Sequence, residues 1–249
     1  MFNVPDKEVR ILVVQHSEQA PGGNFCKGLL ERGARLTFLR PAENDLLPED
    51  TEGFEGLLVL GGPQHAFDDE LSPHFRPLME LMRLFDRRKK PVAGICLGCQ
   101  LLARAHGGRI CSLDSLELGF MKLTLTEEGK RDPVVGGVEL PELMEFHEDS
   151  FDLPARASLL VRGERCVNQC FKVGSASYGF QFHLEVDAAI VKRWIALFRG
   201  GAIGSSRNHL QHFDDAYFED LSARLDSLIA GSEWFCDRVA GRWLALARQ

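Results

Sequence analysis

The chain has 249 residues, 45% hydrophobic and 26% charged, which suits one large globular α/β domain or two small ones. Its 29 Lys and Arg stand against 36 Asp and Glu, a formal net charge of -7, and that balance argues against a general binder of nucleic-acid backbones. No apolar run approaches the roughly 18 residues of a membrane span, and the first ten residues lack the pattern of a signal peptide. Seven unevenly spaced cysteines do not make a disulfide framework, so a cytoplasmic protein is expected.

Short apolar runs alternate with helical patterns through the first half of the chain. Residues 9–15 read as a buried strand, 25–32 as a helix, 35–39 as a second strand and 56–60 as a third that runs into Gly61-Gly62-Pro63. The spacing of Phe75, Leu78, Met79, Met82 and Phe85 predicts a helix over 72–89 with a basic end. A fourth strand at 91–95 leads into a helix at 97–106, stopped by Gly107-Gly108. Such alternation implies a mostly parallel, doubly wound α/β sheet. After Gly108, residues 116–125, 159–162, 167–173 and 177–182 read as strands without helices between them, an antiparallel extension of that sheet. A helix over 187–198 follows, then a glycine-rich break over 199–208. The tail carries two amphipathic stripes, Phe213, Tyr217, Leu221, Leu225 and Leu228, then Phe235, Val239, Trp243 and Leu246. They read as two helices of an extension, residues 201–249, packed on a domain of residues 1–200.

The most informative stretch is Gly94-Ile95-Cys96-Leu97-Gly98, between a strand and a helix. A nucleophile on a sharp strand-to-helix turn needs small neighbours, because its own backbone is strained. Cys96 then stands at a helix N-terminus, where the dipole favours a thiolate. Cys99 makes a CxxC with Cys96, which opens a dithiol reading, but helical geometry turns Cys99 toward the packing face. A zinc pair would need further ligands, and Cys166 and Cys170 are three residues apart on a predicted strand. Downstream, strand alternation would put Gln181, His183 and Glu185 on one face and Phe182 and Leu184 on the other. A histidine oriented by a carboxylate through Nδ1 can act as a general base. With Cys96 the pair makes a Cys-His-Glu triad. Gly62 and Leu97 can each present a backbone N–H to an oxyanion.

GGP after a strand, GICLGCQ and FHLE, in that order, resemble the class I (triad) glutamine amidotransferase superfamily over about residues 9–198. The segment from Glu145 to Pro154 is similar to one in the glutaminase domain of GMP synthase. The resemblance implies a flavodoxin-like fold, with Cys96 as nucleophile, His183 as base and Glu185 as the orienting acid. It also implies Gly62 and Leu97 as oxyanion donors, and Gln100, His147, Glu148 and Asp149 as substrate-binding residues. Leu184 stands where the family usually has Pro, Cys99 where it has His or Met, and Glu148 where it has Gly. The implied reaction hydrolyses the γ-glutamyl amide of glutamine through a glutamyl thioester and releases ammonia, with no metal or cofactor. The alternatives are a γ-glutamyl peptide hydrolase and a glutamine-binding module with a relict site. The amidotransferase-like part takes about 190 residues and leaves too little chain for an ATP-using synthase. A separate ammonia-accepting synthase is therefore an expected partner. His16, His65, His74, His106, His209 and His212 show no metal-ligand spacing as a set.

Overall fold

A computed structural model describes residues 8–201 and 213–249; His209 and His212 lie outside the described residues. The centre of the fold is a set of short strands whose side chains are buried on both faces: β1 (Arg10–Val14), β3 (Gly56–Val59) and β4 (Val92–Ile95). With β2 (Arg35–Leu39) and β10 (Ser177–Phe180) they form the parallel part of an eight-stranded sheet. The order is β2-β1-β3-β4-β10-β9-β8-β6, and β9 (Cys170–Val173), β8 (Ser158–Arg162) and β6 (Thr124–Leu125) add the antiparallel extension.

Alternate residues along the strands serve opposite layers. Ile11 and Val13 pack with α1 (Gly23–Glu31), while Leu12 and Val14 pack with α2 (Phe75–Arg87) and α3 (Leu97–Ala105). This is the doubly wound α/β fold the alternation implied. The strand order reverses direction at β1 and β3, and in such sheets a crevice opens beyond the carboxyl ends of the strands at that point.

The region after Gly108 departs from expectation. The run at 116–125 divides into β5 (Ile110–Met121) and the short β6. The run at 167–173 contributes only Cys170–Val173, and that at 177–182 ends at Phe180. A short helix, α4 (Glu127–Arg131), interrupts the strands, started by Thr126 Oγ1 accepting the Gly129 N–H at 3.0 Å. A further strand, β7 (Leu143–Phe151), pairs with β5 in a separate antiparallel ribbon. Its LMEFHEDSF sequence carries buried polar residues in a row, so hydrophobic alternation does not reveal it.

α5 (Ala188–Arg199) is the expected helix. The tail is one helix, α6 (Asp215–Ala247), not two. The two stripes are in phase, since Leu228 and Phe235 stand seven residues, about two turns, apart. Its C-terminal half joins the core on the α1 layer through Phe235, Val239, Trp243 and Leu244. Arg32 holds Asp237 through two hydrogen bonds of 2.8 and 2.9 Å. No helix among the described residues is long and apolar enough to cross a membrane.

Trp243 is fully buried, edge-on to Phe25 and against Gly56. Trp243→Ala is expected to cost about 3–5 kcal/mol of stability, measured by urea unfolding. A cost under about 1 kcal/mol would mean that α6 is not part of the core.

Candidate active site

The turn from β4 into α3 carries Cys96 at φ 49° and ψ −106°, a conformation that non-glycine residues rarely adopt. The glycines either side are sterically required. A Cβ at Gly98 would lie 2.1 Å from the Val59 carbonyl oxygen, and one at Gly94 would lie 2.4 Å from that of Gly98. The Cys96 N–H donates to the Phe180 carbonyl at 2.7 Å, and the Cys96 carbonyl accepts the Gln100 N–H at 3.0 Å. The sulfur is thereby aimed by backbone alone, at the first turn of a helix. Cys99 is fully buried in the layer of α2 and α3, and burial pushes its thiol well above the ordinary cysteine range. Both features count against the dithiol reading.

His183 Nδ1 lies 2.7 Å from Glu185 Oε1, both side chains buried. Strand alternation does not bring them together, because β10 ends at Phe180. His183 instead makes one bridge to β7, its N–H donating to the Met144 carbonyl at 2.7 Å. Glu185 lies in the turn that follows, and its carbonyl accepts the Asn24 N–H at 2.7 Å. Gly23 has φ +40° there, and a Cβ on it would lie 2.1 Å from that carbonyl oxygen. The Trp194 ring of α5 packs edge-on against the imidazole at 4.8 Å. Burial opposes charge on His183, but Glu185 and the neighbouring Cys96 outweigh it and raise the histidine from 6.5 to about 10. The charged imidazolium is therefore the favoured form of His183 at neutral pH.

These groups open onto a cavity of about 450 Å³. Gly62, Leu97, Cys96 and His183 line it, as do Gln100, His147, Glu148 and Asp149. Gly62 has no room for a side chain, since a Cβ would lie 2.8 Å from His16 Cβ and 2.9 Å from Leu97 Cδ2. Gln100 Nε2 donates to the Asp149 carbonyl at 3.1 Å and to Gln181 Oε1 at 3.2 Å, tying α3 to β7. His147 borders the cavity, but Nδ1 lies 2.9 Å from the Asp149 carbonyl and Nε2 faces Glu117 and Glu145. Its ring is therefore engaged within the protein.

Three side chains given no role in the sequence analysis stand here. His65, in the loop after the glycines, pairs with Asp149 through Nδ1 and approaches Glu148 at 3.9 Å. Gln181 Nε2 lies 3.8 Å from Cys96 Sγ. Trp194 fixes His183 and donates its Nε1–H to the Gln19 carbonyl at 2.6 Å. For Gln181 a signal existed in its i, i+2 relation to His183; for the other two, proximity arises only in the fold.

A family model described as glutamine amidotransferase class-I matches residues 18–193. The chain belongs to this family. Among its relatives, the glutamine amidotransferase-like protein YfeJ of Salmonella typhimurium is 31% identical over 188 residues, 74% of this chain and 79% of that one. Gamma-glutamyl peptidase 3 of Arabidopsis thaliana is 31% identical over 157 residues, 61% of this chain and 60% of that one. A solved glutamine amido transferase from Methylobacillus flagellatus matches with a TM-score of 0.84 at 29% identity, covering 96% of this chain and 95% of that one.

In this chain of the class-I family the elbow depends on backbone packing. Gly98→Ala is expected to cost about 1–3 kcal/mol and to slow alkylation of Cys96, read by urea unfolding and by mass spectrometry. Unchanged stability and labelling would show that the contact with Val59 does not aim the sulfur.

Proposed function

We propose that the protein hydrolyses the γ-glutamyl amide of glutamine through a covalent thioester on Cys96. The Cys96 sulfur attacks the γ-carbonyl carbon, and the resulting oxyanion is held by the N–H groups of Gly62 and Leu97. His183, charged at neutral pH, gives its proton to the departing nitrogen, which leaves as ammonia. Neutral His183 then takes a proton from water, which attacks the thioester; glutamate is released, and the anionic sulfur and charged His183 are restored. Glu185 orients the ring and stabilises its positive form. Gln100, His147, Glu148 and Asp149 shape the glutamyl side of the cavity, the first two chiefly by holding β7 in place. The atoms balance with water as the only co-substrate, so no step calls for a metal or cofactor.

The observation that carries this reading is the strained Cys96 elbow and a His183–Glu185 pair fixed at 2.7 Å, with Cys96 and His183 on the wall of one cavity. An amidotransferase passes nitrogen to an acceptor. By likeness to the GMP synthase of Porphyromonas gingivalis, 34% identical over 143 residues, we infer an ammonia-accepting synthase as partner. A second reading is hydrolysis of γ-glutamyl peptides. It is favoured by the size of the cavity, about 450 Å³ and lined also by Ser17, Gln19 and Gln64, which leaves room for a larger leaving group.

A diazo-ketone analogue of glutamine is expected to label Cys96 alone, with peptide mapping as the readout. Protection by glutamine supports the first reading, and better protection by a γ-glutamyl dipeptide supports the second. Slow labelling spread over several cysteines, with no protection, would leave the relict-site module. Cys96→Ser is expected to lower glutamate release at least about a thousandfold while preserving the fold. A variant that keeps most of its activity would remove Cys96 from the mechanism.

The roles of His183 and Glu185 differ in kind. Glu185→Gln should lose less kcat than His183→Ala, by about tenfold or more, because the acid moves no proton in the reaction. Equal losses, measured at saturating substrate, would count against a purely orienting role for Glu185.

A further inference from the structure

Around the His147 ring, between β5 and β7, lies a buried polar cluster that the proposed reaction does not use. Glu117 of β5 stands opposite His147 in the ribbon register, just past its irregularity, and Glu145 lies two residues before His147 on β7. Glu117 Oε2 and Glu145 Oε2 approach the same imidazole nitrogen, Nε2, at 3.1 and 3.0 Å. Cys166, in the connection between β8 and β9, completes the group. Its sulfur, a Glu117 carboxylate oxygen and a His147 ring nitrogen all lie within 4.8 Å of one another. All four residues are buried, Glu145 completely.

Protons alone leave this cluster poorly satisfied. The Asp149 carbonyl can only accept, so His147 Nδ1, 2.9 Å away, carries a hydrogen. In the neutral ring Nε2 is then a bare lone pair facing two carboxylates. In the charged ring a single N–H must serve both. In neither case is the geometry good: His147 Nε2 and both oxygens of Glu145 lack an aligned hydrogen bond. Buried polar groups are rarely left so. A cation held there would take up the His147 Nε2 lone pair and the nearby Glu145 Oε2.

The donor set and its supports fit such an ion. Imidazole, carboxylate and thiolate together suit a borderline transition metal rather than calcium or magnesium, which take oxygen ligands. A ligating histidine typically donates its other N–H to a carbonyl or carboxylate, the role Asp149 fills here. The flanking groups are also held: Gln169 Nε2 lies 3.3 Å from Glu117 Oε2, the Cys166 N–H 3.4 Å from Glu117 Oε1, and Ser150 Oγ 3.1 Å from Cys166 Sγ. Glu117 also borders a second cavity of about 550 Å³, which supplies a route of entry.

We propose that Glu117, Glu145, His147 and Cys166 form a buried structural site for one divalent transition-metal ion, zinc being the best match. The ion would join β5, β7 and the β8–β9 connection, and so brace the strand that carries Glu148 and Asp149 to the cavity. Metal binding draws a proton from the Cys166 thiol, which burial otherwise pushes up to about 11.

The test uses full-length protein stripped with a chelator, reloaded with zinc and dialysed, with metal content read by plasma mass spectrometry and Tm by calorimetry. The expected result is about one zinc per chain, a raised Tm, and, with cobalt in place of zinc, a sulfur-to-metal charge-transfer band. Cys166→Ser should lose that band and bind at least about tenfold more weakly. Cys96→Ser should keep both stoichiometry and band, which separates this site from metal captured by the proposed nucleophile and makes the outcome independent of the proposed reaction. If Cys166→Ser does not fold, X-ray absorption of the zinc-loaded wild type decides: one sulfur with nitrogen and oxygen ligands is expected. Absence of bound zinc, a sulfur-free shell, or loss of metal on Cys96→Ser would each overturn the proposal and leave a cluster that shares protons.

Discussion

The site depends on one close backbone approach, that of Gly98 to the Val59 carbonyl. Because a Cβ there would lie 2.1 Å from that oxygen, the first turn of α3 can rest on the end of β3 only without a side chain. That contact forces the link between β4 and α3 into a tight turn and puts Cys96 at φ 49°. Strain of this kind, about 1–3 kcal/mol, persists only where the surroundings over-determine it. Here the surroundings are the Phe180 carbonyl on one side and the helix on the other. The direction of the sulfur is a property of the main chain, and the other groups are arranged around it.

β7 does for the remaining groups what the elbow does for Cys96. Its Met144 carbonyl holds the His183 backbone, and its Asp149 carbonyl receives both Gln100 Nε2 and His147 Nδ1. One strand thus joins the His183 turn, the start of α3 and the acidic wall of the cavity. The same strand buries Glu145 and His147, which is costly unless those charges are compensated. Its polar sequence and its importance have one origin, since it is buried for what it holds rather than for its hydrophobicity.

α6 completes the layer over α1 and has a different physical basis. Its buried stripe runs from Phe218 to Ala247, first against α5 and the outer face of the ribbon, then against the α1 side of the sheet. The polar anchors sit at the rim, where Arg32 meets Asp237 and where Arg242 donates to the Val134 and Gly136 carbonyls at 3.1 and 2.7 Å. Apolar burial therefore carries the helix, with the ion pair serving orientation.

The sequence by itself determined the parallel half of the fold and the groups most exposed to local rules. Buried strand segments such as residues 11–14 are uniformly apolar, and the helix of α2 shows its period plainly, because each element's pattern is set by its own layer. Gly94, Cys96 and Gly98 were legible for the same reason, since a strained turn states its steric needs within five residues. Other features only the tertiary structure decided. His183 and Glu185 meet through a turn bridged to Met144, not through the alternation of a strand. The tail is one helix because its two stripes continue in phase. β7, His65 and the grouping of Glu117, Glu145, His147 and Cys166 depend on contacts between segments far apart in the chain. A buried polar group is stabilised by its partner, and sequence patterning, which records burial of apolar groups along a single element, cannot show where that partner comes from.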